Sequence, residues 1–145
     1  MKTIKFRGKK IDNSEWVYGD LIHNPEYQHL QIGCCLNYPG DGRTEPPTTS
    51  YVTLNVISET VGQFTGLQDK NGVDIYSDDV FQKGKDLYLV EYDLLCGFYW
   101  RLIYDSWTEK NVFNSKKRSW LSTADSKMYE AIGNIYDNPE LLTKN

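Results

Sequence analysis

A mainly β protein is what the sequence predicts: short strands, little helix, and an SH3-like, partly open barrel in the C-terminal half. Three observations carry this expectation. Eleven Tyr and four Trp in 145 residues are many, and such side chains suit half-buried, pleated surfaces. Apolar and polar residues alternate with period two in several runs. Gly, Pro, Asn and Asp punctuate those runs at short intervals.

Taken in order, "TIKFRGKK" alternates, with Ile4 and Phe6 on one face and Lys5 and Arg7 on a solvated one. "IDNSE" is a turn, because Asp, Asn and Ser side chains bond their own backbone there. "WVYGDLI" completes an N-terminal hairpin. "HLQIGCCL" is a short strand, and the breaker-rich "NYPGDGRTEPPTTS" (37–50) is a long mobile loop that a bound partner could order. "YVTLNVI" is the cleanest strand, with Val52, Leu54 and Val56 on one face and Thr53 and Asn55 opposite.

From Ile75 onward the barrel-like order begins. "DVFQKG", "DLYLVEYD" and "GFYWRLIYD" read as strands, the last with Phe98, Trp100, Leu102 and Tyr104 on one face. "EKNVFNSKKRSW" is a strand plus loop, and "SKMYEAIGNIYD" returns to strand character. "DNPELL" starts like a helix, with Asn138 as N-cap and Pro139 at the first helical position. The whole is seven to nine strands in one domain (1–145), divisible into an N-terminal β lobe (1–60) and a barrel-like part (61–142). A chain of this length buries about 68–70% of its unfolded surface, so a core needs neither disulfide nor metal.

Composition narrows function. No apolar run is long enough for a membrane-spanning helix. The basic start "MKTIKFRGKK" lacks the apolar core of a signal peptide, so a cytoplasmic protein is expected. Cys34, Cys35 and Cys96 make a poor disulfide framework and read as buried, reduced thiols. Net charge is −4 at pH 7, divided as +5 on the first ten residues and −9 on the remainder. An acidic body repels phosphate backbones unless a local basic patch opposes it.

"ETVGQFTGLQDKNGVDIYSDDV" (59–80) is the most patterned stretch, and three chemistries are tested on it. With Gly72 at the turn glycine of a calcium loop, the first ligand position falls on Leu67, which has no oxygen to offer. The spacing of Gly62 and Gly66 matches neither a P-loop nor a dinucleotide fingerprint. Asp74, Asp78 and Asp79 lack the partners of an acid–base site and read as a solvated turn rim. The stretch is structural instead: a bend at Gly62 to Gly66, a hairpin turn opened by Asp69 with Asn71 and Gly72 supplying positive φ, and, after the turn residue Asp79, entry into a barrel strand at Val80. His23, His29, Cys34 and Cys35 lack the spacing of a zinc site. Neither catalytic residues, cofactor nor metal is expected.

Another combination has binding chemistry. Trp100, Trp107, Phe113 and Trp120 accompany Lys116, Lys117 and Arg118, and aromatics with cations hold single-stranded nucleic acid by stacking and charge. Lys116, Lys117, Arg118 and Trp120 are the candidate contacts, joined by the basic N-terminus "MKTIKFRGKK". The acidic body and the core-like alternation at Phe98–Leu102 make nucleic acid the second choice, behind a protein partner, which could include a second copy through an exposed strand edge.

"KFRGKKIDNSEWVYGDLI", the 59–80 stretch and "AIGNIYDNPELL" together resemble, in order and spacing, the YopX family of phage and prophage proteins. That resemblance implies a small, mainly β, cytoplasmic protein of unknown function encoded by bacterial phages or prophages. Family members typically have Glu-Gly-Asp where this chain has Ser77-Asp78-Asp79. Asp tolerates the positive φ that a glycine there would supply better than most residues do, and Asp79 keeps its place for a bond to local backbone.

Overall fold

The computed structural model describes residues 4–23, 25–26, 29–39, 48–112 and 117–143. Twelve strands occur among them, more than the sequence suggests, and every pairing is antiparallel. The chain forms two units, divided between Gln63 and Phe64.

The N-terminal unit is a meander of β1 (Phe6–Lys9), β2 (Trp16–Ile22), β3 (Leu30–Tyr38) and β4 (Thr48–Val56). Its sheet order is β4-β3-β2-β1. β4 also returns to the end of β1, through a Lys10–Val56 bridge and hydrogen bonds from Ile57 N to Lys9 O (2.8 Å) and Ile11 N to Asn55 O (3.2 Å). Ile32 and Val56 are fully buried, and the face of Val52, Leu54 and Val56 points inward as its alternation requires. Gly33 has a steric role. A Cβ there would lie 1.9 Å from the hydroxyl oxygen of Tyr51, so its absence lets Tyr51 cross β3 toward Asp20 on β2, 3.4 Å away.

Three expectations fail in this unit. Arg7 is not on a solvated face: it is buried, its guanidinium 4.7 Å from the Trp16 ring centre, while Ile4 is exposed. The flat guanidinium stacks on indole and its stem packs as a hydrocarbon, so the charge does not keep this side of β1 in water. The 37–50 loop is shorter than its breakers suggest, because Asn37–Tyr38 and Thr48–Ser50 pair as strand ends; residues 40–47 lie outside the described residues. Cys35 is exposed and Cys34 half-buried, both free, because they sit on the part of β3 that extends past its pairing with β2.

The division falls within β5 (Gly62–Gln68); in the C-terminal unit the rest of β5 and β6 (Asp74–Tyr76) precede a sheet of β7 (Asp79–Lys83), β8 (Asp86–Asp93), β9 (Gly97–Asp105), β10 (Lys110–Asn111) and β12 (Glu130–Asn134). β5 is shared: Gly62 and Gln63 pair with β1, whereas Phe64 and Gln68 pair with Tyr76 and Asp74. The sheet runs β10-β9-β8-β7-β12, with β11 (Arg118–Trp120) also on β9. It is partly open and does not close into a barrel.

Both faces of this sheet are covered. On one, Val80, Leu87, Leu89 and Ile103 pack with Tyr104, Ile135, Leu141 and Leu142. On the other, Ile75, Phe81 and Val90 pack with Leu67, Tyr88, Leu121, Tyr129 and Ala131. The alternation of β9 explains the division as far as Leu102. A bulge opposite Leu87–Tyr88 then turns Tyr104 into the first cluster, away from Trp100.

The chain after Leu121 departs from a strand. Residues Thr123–Met128 form a helix, α1, whose N-cap Ser122 accepts the Asp125 N–H at 3.1 Å. Strand pairing resumes only at Glu130. Pro139–Leu142 is a single 3-10 turn, and Asn138 makes no side-chain cap bond to it; its Nδ2 donates to the Glu140 carboxylate at 3.1 Å.

Candidate functional site

The 59–80 stretch acts as fold punctuation. β5 runs through Gly62 without a break, and the irregularity falls at Gly66, which has φ 84°. Asp69 organises the β5–β6 hairpin from a buried position. Its Oδ1 accepts Asn71 N (2.8 Å) and Val73 N (2.9 Å), and its Oδ2 accepts Ala131 N (3.2 Å). Of the two residues expected to supply positive φ, only Gly72 does so, at 81°. The turn is closed by Gly72 N to Asp69 O (3.0 Å) with one left-handed residue after it, the geometry of a three-residue loop with a glycine bulge.

Of the three carboxylates only Asp74 keeps the rim position expected of it, half-buried and accepting Gln68 Nε2 at 3.0 Å; Asp78 and Asp79 serve the fold. Asp79 is buried and accepts Tyr76 N at 2.8 Å. Asp78 has the positive φ (70°) that a glycine would adopt freely. Around it the backbone joins three elements, with Asp78 N donating to Val90 O (2.8 Å) and Ile135 N to Asp78 O (3.2 Å). Its side chain accepts the Tyr136 hydroxyl at 3.0 Å.

The surface site lies on β8, β9 and β11. Period-two pairing puts Glu91 beside Tyr99, Tyr99 beside Trp120, and Arg118 beside Arg101. Glu91 and Arg101 form a two-pronged ion pair, with Nε to Oε2 and Nη2 to Oε1 both 2.8 Å. Hydrogen bonds from Arg101 hold the Glu91 carboxyl below the usual range, and the same bonds raise Arg101. Burial, then the charge of Glu91, pushes the Tyr99 hydroxyl up. Arg118 lies over the Tyr99 ring, 5.3 Å from its centre.

Cys96, Tyr99, Arg118, Ser119 and Trp120 line a depression of about 190 Å³. Beside it the β8–β9 turn projects Leu94 and Leu95, the latter 95% exposed, and Trp120 is itself 63% exposed. Asp93 holds that turn by accepting Leu95 N at 2.8 Å and Cys96 N at 3.2 Å. Cys96 is therefore an exposed free thiol rather than a core residue.

Of the residues predicted for nucleic-acid contact, Arg118 and Trp120 share this site. Lys117 extends to Asp105, 3.9 Å away. Lys116 and Phe113 lie outside the described residues. Trp100 is a core residue, in ring contact with Phe81, Tyr88 and Tyr129. Trp107 is 94% exposed and lines no part of the depression. Sequence reasoning missed Tyr99, Leu94 and Leu95. The signal was an apolar pair inside "YDLLCG", where a turn ordinarily carries polar residues.

The C-terminal unit of this antiparallel β protein thus presents an apolar hairpin tip beside an aromatic–arginine depression. The chain matches the family described as YopX protein over residues 5–143 and belongs to the YopX family. Among solved structures it is similar to protein EF1440 from Enterococcus faecalis, 21% identical, covering 98% of this chain and 99% of that one with a TM-score of 0.55. That likeness concerns the fold. No match is found among curated proteins. Among the described residues, no helix is long and apolar enough to cross a membrane.

Proposed function

We propose that this chain is a phage or prophage accessory protein of the bacterial cytoplasm, a non-enzymatic module that binds another protein. The observation that carries this is the β8–β9 tip, where Leu94 and Leu95 stand exposed beside Tyr99, Arg118 and Trp120. Trp, Tyr and Arg are the residues that dominate binding energy at protein interfaces. The matching partner surface carries an apolar side chain for the depression and a carboxylate for Arg118.

The test is co-purification from infected host cells, with and without nuclease, using the natural chain and a Leu95→Ser/Trp120→Ala variant. A nuclease-resistant partner lost from the variant by at least about 30-fold is expected, the effect of losing a hot spot of about 2 kcal/mol. Capture indifferent to both substitutions overturns this assignment. So does turnover of a nucleotide, ester or glycoside by the purified protein that Asp78→Asn abolishes.

Arg118 stacked on Tyr99 next to Trp120 also favours a second function, in which the site holds single-stranded nucleic acid with help from Lys116 and Lys117. That function predicts affinity falling steeply with salt, and Arg118→Ala lowering the salt slope by about 1. No binding at low salt removes it.

A further inference from the structure

β4 is the last strand of its sheet order, and beyond the Asn55–Val56 end that meets β1 it has neither the charges, the prolines nor the bulges that guard an edge. Its nine residues, Thr48–Val56, include no charge and no proline, and its register with β3 is unbroken from Leu30–Val56 to Tyr38–Thr48. Charges, prolines and bulges are what keep natural edge strands from pairing with other chains.

The hydrogen bonds to the end of β1 set the phase of this edge. Asn55 accepts Ile11 N outward, away from β3. In a strand, alternate residues direct N–H and C=O to the same side, so Thr49, Tyr51 and Thr53 also present theirs outward. Among the described residues no backbone hydrogen bond on that side reaches them. The chain leaves β4 at Ile11, opening a groove of about 340 Å³ lined by Lys10, Ile11, Asp12, Thr53, Leu54 and Asn55. The open run is therefore Thr49 to Thr53, with Tyr51 at its centre.

From this geometry we infer that a second copy of this chain docks here, β4 against β4, antiparallel, with the two-fold axis at Tyr51. Three features select a second copy as the occupant. The run is symmetric about Tyr51, so Tyr51 opposes its counterpart while each Thr49 opposes a Thr53, three pairs that exchange about six backbone hydrogen bonds. Each chain has a net charge of −4, yet the uncharged edge brings no like charges face to face. The side chains leave the seam clear: Tyr51 leans back across Gly33 to Asp20, and Thr49 donates to Asn37 on β3 at 2.7 Å. Pairing also completes a part of the sheet that, among the described residues, β3 and β4 form alone, since β2 pairs with β3 there only at Gln31–Gly33 and a free two-stranded ribbon is marginal in water. A closed two-fold contact ends at a dimer.

Light scattering on the full chain over a concentration series tests this. A mass of two chains is expected, reverting to one in Thr53→Pro with the far-ultraviolet circular dichroism unchanged, because the lost N–H faces away from β3. If proline disturbs the fold, Thr49→Lys/Thr53→Lys decides, and a more than tenfold weaker association is expected. Amide exchange gives a second readout: Tyr51 and Thr53 should be protected in concentrated samples and lose protection on dilution. A natural chain of one-chain mass at every concentration overturns the inference, as does a dimer that persists in the lysine variant.

Discussion

Asp69 and Asp78 show how much of the architecture rests on single carboxylates. Asp69 is buried and accepts three backbone N–H groups, from Asn71, Val73 and Ala131. Asp69→Ala strands those donors, and a loss of about 3 kcal/mol in urea unfolding is expected. Asp78 is held at φ 70° and bonded to Tyr136. Two substitutions separate those contributions. Asp78→Gly relieves the backbone while losing the hydrogen bond, so its stability should stay within about 1 kcal/mol of the natural chain. Asp78→Ala keeps the unfavourable φ and loses the bond, and should cost about 2 kcal/mol. Equal effects in the two variants would show that the conformation is not what Asp78 contributes.

Among the elements, the β8–β9 hairpin combines stability with the proposed binding surface. Its Glu91–Arg101 pair gives a pH signature of definite sign. The folded-state pKa of Glu91 is lowered, so the stabilisation is fully present above the ordinary Glu value of about 4.3. It is lost as pH falls through the lower folded value. Urea titrations of Glu91→Gln should show a deficit at neutral pH that shrinks toward about pH 3; a constant deficit would assign the effect to packing. The hairpin strands were legible in the sequence because Tyr88, Val90 and Tyr92 alternate, and so do Phe98, Trp100 and Leu102. Other elements were not. The bulge that turns Tyr104 has no glycine or proline to announce it. The short α1 depends on the Ser122 cap inside an otherwise strand-like run. Arg7 looked like a surface charge because period-two reading cannot anticipate an indole placed across the sheet to receive it. Arg118 and Trp120 of the proposed binding site were legible from residue type, whereas Tyr99 joined it only through long-range strand register.

For the molecule as a whole, the cores differ in size. The C-terminal unit has two buried clusters, one on each face of its sheet, whereas the N-terminal unit has Ile32 and Val56 as its fully buried apolar side chains. Phe81→Ala should cost about 4 kcal/mol and Ile32→Ala about 3 kcal/mol. Hydrogen exchange should find the first loss mainly in amides from Phe64 onward and the second mainly in amides before it. Uniform loss of protection in both variants would mean that the chain unfolds as one cooperative body.

The distribution of indoles has a practical consequence. Trp100 lies edge-on to Phe81 and tilted against Tyr88 and Tyr129, a fixed chiral arrangement of coupled chromophores. It should dominate the near-ultraviolet circular dichroism and vanish from it when the C-terminal core loosens. Trp120, solvated at the proposed binding surface, should instead report through its emission colour when a partner covers it. Integrity and occupancy of this protein can thus be followed at once, by light alone, with no label attached.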